Sequence, residues 1–127
     1  MDIQGVDFVA LPATDLARAV AFYRDILGLV PNDQFGGHFI EFEAGGMTLA
    51  VFDPAAMGRP FEAVTAGAVA LRVPDVAAAT AELKAKGVTF LSDPFDSGVC
   101  HGAFFQDSEG NSLALHHRYA PESQPTP

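Results

Sequence analysis

The chain has 127 residues, 49% of them apolar and 18% charged, and a formal charge of −9. A chain this long sustains one domain with a real core, burying about two-thirds of its unfolded surface, and needs no metal or partner in order to fold. The composition speaks against disorder, no apolar run approaches the ~20 residues of a membrane span, and the acidic balance disfavours nucleic acid while suiting cationic small molecules.

The opening stretch, MDIQGVDFVALPATDL, carries acidic rather than basic residues and no uninterrupted apolar segment. It does not read as a secretory signal, so a cytoplasmic location is the expectation. Cys100 is the single cysteine, which rules out a disulfide within the chain.

From Phe8 to Leu29 the sequence FVALPATDLARAVAFYRDILGL passes from strand-like alternation to helical periodicity. Leu16, Ala19, Val20, Tyr23, Ile26 and Leu27 fall on one stripe, with Arg18 and Asp25 outside it. Asp15 suits the helix N-cap and Gly28 the left-handed residue that ends the helix. Two strands around a tight turn follow in GHFIEFEAGGMTLAVFD, from Gly37. The proline- and glycine-bearing segment after them reads as a linker over 54–66.

The pattern then repeats. AVALRVPDVAAATAELKAKGV, Ala68 to Val88, again runs from alternation into a helix, with Val76, Ala79, Thr80 and Leu83 on the stripe, Asp75 as cap and Gly87 as terminator. Pro74 sharpens the boundary, because the residue before a proline disfavours helix. HGAFFQDSEGNSLALHH from His101 supplies the second hairpin, and the tail APESQPTP is too polar and proline-rich to pack. The reading is α+β: two tandem βαβββ modules at 1–53 and 67–118, and a disordered tail at 119–127.

Strand alternation sorts the side chains onto two faces. Val9, Leu11, Leu49, Val51, Val69, Leu71, Leu113 and Leu115 are consistently aliphatic and form the core that the helices cover. The other face collects Phe8, Ala10, Thr48, Ala50 and Phe52 in the first module. In the second it collects Ala68, Ala70, Ser112, Ala114 and His116. Small residues mixed with aromatics make this face the candidate ligand surface. Parity taken with Ala114 adds Phe42, Phe104 and Ile40 to it.

The segments DLARAVAFYRDILGL and FFQDSEGNSLALHH resemble the helix and turn motifs of the vicinal oxygen chelate superfamily. This is the glyoxalase, bleomycin-resistance and dioxygenase group, and the resemblance extends from Val6 to Arg118. It implies mixed sheets curled around a shared cleft, commonly in a homodimer. It also implies metal ligands at four positions: seven residues before each helix-start aspartate, and on the last strand of each module. Carried across, these positions are Phe8, Ala68, Ala50 and Ala114, none of which has a lone pair for a cation. The sequence therefore assigns no cofactor and no metal. It points to a metal-independent protein that encloses an apolar, aromatic or cationic heterocyclic ligand, with drug or natural-product sequestration as the role.

Other candidates carry two readings each. His116 shares the face of Ala114, where it either bonds a ligand or acts as a base, or is a solvated strand-end histidine; His117 points the other way. His38 leans into the cleft only if the first hairpin pairs symmetrically about its turn, because a slip of one residue reverses its face. Cys100 and His101 diverge as neighbours on an extended segment and do not read as a nucleophile with its base. A metal site rebuilt from His38, His101 and His116 needs three strands to converge. Glu41 and Glu43 share a face, placed by the assumed hairpin parity away from Ile40 and Phe42, as solvated or helix-contacting carboxylates. An enzyme is the alternative function: a metal-dependent lyase or dioxygenase with unusual ligands, or a metal-free isomerase or cyclase using His116 or His38. The loops near Gly36, Pro60 and Phe95 shape any pocket.

Overall fold

A computed structural model describes residues 1–32 and 37–122. The ligand-surface loop at Gly36, the aromatic Phe35 and the tail residues 123–127 lie outside the described residues. The chain divides into two units, one of Met1–Ala68 with Asp107–Ser112, the other of Val69–Gln106 with Leu113–Pro127. No helix among the described residues is long and apolar enough to cross a membrane.

In the first unit, strand β1 (Phe8–Pro12) leads into helix α1 (Leu16–Ala21). The Asp15 carboxylate caps α1 by accepting from the Arg18 N–H at 3.0 Å. The helix widens into a π-helical turn over Phe22–Ile26. Leu27 N–H reaches back to the Phe22 carbonyl there, and Leu29 N–H to the Tyr23 carbonyl. The second bond passes across Gly28, whose φ of 74° supplies the left-handed residue that this closure needs. Strands β2 (Val30–Pro31), β3 (Phe39–Glu43) and β4 (Thr48–Phe52) complete a sheet of order β1-β4-β3-β2, in which β1 and β4 are parallel. A short 3-10 turn, Pro54–Met57, follows.

The register of β3 corrects the sequence reading. Ala44 N–H bonds the Met47 carbonyl across Gly45 and Gly46, both with positive φ. This two-residue turn pairs Phe42 with Leu49, Ile40 with Val51, Glu41 with Ala50 and Phe39 with Phe52. Cross-strand partners share a face. Ile40 and Phe42 are therefore core residues, not ligand-surface residues, and the Tyr23 ring from the helical segment packs on Phe42 with centroids 5.7 Å apart. Glu41, Glu43 and Phe39 take the opposite face, where the sequence reading had not put them.

The second unit holds β5 (Val69–Arg72), α2 (Val76–Ala85), β6 (Phe95–Asp96), β7 (Cys100–Gln106) and β8 (Ser112–Arg118), in the sheet order β5-β8-β7-β6. Asp75 caps α2 through the Ala78 N–H at 3.0 Å. Val76, Thr80 and Leu83 are the buried residues of its stripe. Val69 pairs with Leu113 and Leu71 with Leu115, as the aliphatic pattern anticipates. Phe105 is fully buried and packs on Phe90, over which Lys84 of α2 lies at 5.6 Å. Beyond β8, the Tyr119 and Ala120 N–H groups both bond the Val99 carbonyl.

Candidate functional site

The DSEGN turn, which belongs to the first unit, is held by a dense set of side-chain hydrogen bonds. Asp107 Oδ1 accepts from the N–H groups of Glu109 and Asn111 at 2.8 and 2.9 Å. Its Oδ2 accepts from Tyr23 Oη at 2.6 Å and from Asn111 Nδ2 at 2.9 Å. Asn111 also donates to the Pro12 carbonyl at 2.8 Å and accepts from Val64 N–H at 2.9 Å. Burial beside the Asp107 carboxylate pushes the Tyr23 phenol well above its ordinary pKa.

Glu109 reaches the start of α1. One of its oxygens accepts from the Thr14 and Asp15 N–H groups at 2.9 and 3.0 Å, while the Arg18 guanidinium grips the carboxylate with its Nε at 2.7 Å. Burial alone would raise this pKa. The bonds from Arg18, Asp15, Ser108 and Thr14 outweigh it and hold the pKa at about 2. The carboxylates of this motif are thus spent on holding the turn, and no lone pair is left aimed at a ligand.

The face opposite α1 is different in kind. Its rows, read from the register, are Phe8–Thr48–Glu43, Ala10–Ala50–Glu41 and Pro12–Phe52–Phe39. Phe8 and Phe39 stand diagonally about Ala50, yet their rings meet edge to face with centroids 5.5 Å apart. They must therefore pass over Ala50, which is 0% exposed although it lies on the face away from the helix. Phe52 continues the aromatic surface, 6.4 Å from Phe39. Phe8 remains 50% exposed. The strands of this sheet bring Glu41 and Glu43 to the face, and no lysine or arginine.

The second sheet has its own face. Ala114 pairs with Ala70, and His116 with Arg72, a neighbour that the sequence reading did not single out. Ala68 immediately precedes β5 and is exposed; Ser112 and Ala114 are buried. Phe104 alternates with buried Ala103 and Phe105, is itself 38% exposed and stacks on Phe95 at 5.7 Å. The Phe95 ring lies over Gly102, where a Cβ would come within 2.5 Å of its edge.

The remaining histidines do not join these faces. His38 is exposed and precedes β3, with its carbonyl bonded to Asp53 N–H. His101 turns toward Asp96, 3.5 Å away, and stacks on Tyr119 at 4.8 Å. Among the described residues no group of three His, Cys, Asp or Glu side chains is placed to hold a metal ion. The side chains of Phe8, Ala50, Ala68 and Ala114 offer no donor atom, so the residues at the four positions that the resemblance implies do not fit a metal. Two shallow depressions lie elsewhere: one of about 440 Å³ between Leu16, Val20, Arg24 and Ile40, the other of about 560 Å³ beside Lys84 and Phe90.

Two βαβββ modules of this kind define a class of metalloenzymes and binding proteins built on paired sheets. The chain belongs to the Glyoxalase/Bleomycin resistance protein/Dioxygenase superfamily, whose model matches residues 5–115. It is 30% identical over 111 residues to an uncharacterised protein of Mycolicibacterium smegmatis, covering 87% of this chain and 91% of that one. Among solved structures it is similar to TnmS3, an antibiotic-binding protein from a Streptomyces species. The identity is 27% and the TM-score 0.76, over 93% of this chain and 98% of the other. It is also similar to lactoylglutathione lyase from Agrobacterium tumefaciens, at 25% identity and TM-score 0.74, over 91% and 95% of the two chains.

Proposed function

We propose that this protein binds a small apolar or aromatic molecule without a metal ion, and that it sequesters a drug or natural product. One observation carries the reading. At two of the positions where the resemblance implies metal ligands, the first sheet has the Phe8 ring and the Ala50 methyl, and the Phe8 and Phe39 rings close over that methyl. Hydrocarbon packed in this way offers dispersion and stacking to a flat ligand, and no coordination to a cation. The likeness to an antibiotic-binding protein supports the same reading. Homodimerisation accords with the family, and sedimentation at micromolar concentration is the measurement for it.

The test pairs metal analysis with a thermal-shift screen of planar aromatics and cationic antibiotics. Stabilisation by a member of the screen, in protein free of Zn, Ni, Mn and Fe, is the expected result. Stoichiometric metal bound by the native protein overturns it. A second reading, a metal-free enzyme using His116, draws on the likeness to a lyase. It requires turnover that survives chelation and collapses in His116→Ala.

A further inference from the structure

The Gly45–Gly46 turn does more than move Phe42 into the core. It swings Glu41 onto the aromatic face, into the row of Ala10 and Ala50, beside the place where the Phe8 and Phe39 rings close. Glu41 is half-buried; its backbone carbonyl accepts from Asn32 N–H, but among the described residues its carboxylate has no hydrogen-bond or ion-pair partner. The strands of the sheet supply no cation to that face. A carboxylate without a partner, partly shielded on a face that its own strands leave without a cation, is suited to a positive group. Aromatic faces attract the same kind of group.

We propose that Glu41 is the charge-selecting residue of the aromatic face, and that the ligand class is a planar aromatic or heteroaromatic cation. The inference rests on the binding role proposed above and adds to it the sign of the ligand's charge and the residue that reads it. The rings contribute stacking area, which a neutral and a cationic ligand share. Glu41 contributes the discrimination between them. Glu43 is also on this face but is exposed, in the row of Thr48 and Phe8, where water screens it.

Two fluorescent probes separate these contributions: proflavine, a planar tricyclic cation, and acridone, a neutral tricycle of similar shape. Both are titrated into the wild-type protein, Glu41→Gln and Glu43→Gln. The two variants change net charge by the same single unit, so any effect of overall charge is equal in both. Glu41→Gln is expected to weaken proflavine about tenfold, the loss of one partly shielded charged contact, and to change acridone less than about twofold. Glu43→Gln is expected to change proflavine less than about twofold. In the wild type, proflavine binding weakens between about 50 and about 500 mM NaCl and acridone binding does not.

Equal losses in the two variants, no loss in Glu41→Gln, or salt-independent proflavine binding overturns the role of Glu41. Saturable binding of both probes would then leave the metal-independent binding role standing. Saturable binding of neither probe overturns the aromatic face as a ligand surface, and the role of Glu41 with it.

Discussion

Replacing Asn111 with alanine removes three hydrogen bonds from a side chain that is 0% exposed. The Pro12 carbonyl, which is buried, loses its 2.8 Å donor, and Asp107 Oδ2 loses one of two. Val64 N–H loses its acceptor but sits at the surface, where water replaces it. A buried polar group left unsatisfied costs about 1 to 3 kcal/mol, so the orphaned carbonyl, the weakened carboxylate and the small void together come to about 3 kcal/mol. At this chain length each kcal/mol lowers the melting temperature by about 3 to 5 °C, which gives a loss of about 10 °C. Calorimetry at pH 7 measures it. Asn111→Asp is the companion variant. It keeps the size but points an acceptor at the Pro12 carbonyl and the Asp107 carboxylate, and should melt at or below the alanine variant. If both variants melt within about 3 °C of wild type, the turn is not the clamp that its bonds describe.

Other consequences can be measured independently. The pKa of Glu109 is held at about 2 in the folded chain, below its ordinary 4.5. Its contribution, at most about 3 kcal/mol, is therefore complete above pH 4.5 and lost as pH falls toward 2. Glu109→Gln should melt below wild type at pH 7, with the gap closing in acid; a gap independent of pH contradicts this. Tyr23→Phe deletes the 2.6 Å bond to Asp107 and should cost about 1 to 3 kcal/mol in urea unfolding, against no change if that bond is idle. Gly102→Ala pushes on the far edge of the Phe95 ring, which can swing. The expected result is a shifted ring signal in NMR with a melting change of only a few degrees, and global unfolding would show that the ring cannot yield.

Much of the fold was legible because it is written twice. Asp15 and Asp75 sit where a carboxylate can accept from an N–H three residues on, and both do. Val69, Leu71, Leu113 and Leu115 alternate cleanly because two parallel strands share one core face. The failure at β3 has a specific cause. The second hairpin closes from Asp107 N–H to the Asn111 carbonyl, with three residues between. The first closes from Ala44 to Met47 with two, and this difference of one residue reverses which of Ile40, Glu41 and Phe42 face the core. The signal was present in the adjacent glycines Gly45 and Gly46, which favour a two-residue turn. No local signal pointed to the clamp, because Tyr23, Pro12 and Val64 meet the turn only through the tertiary fold.

Protein stripped with a chelator, verified by elemental analysis and then titrated with proflavine, puts the binding role to its plainest test. Saturable binding and thermal stabilisation should persist unchanged without metal. If binding vanishes on stripping and returns on adding one equivalent of zinc, nickel, manganese or iron, the aromatic face is not the recognition surface and metal-independent binding is wrong.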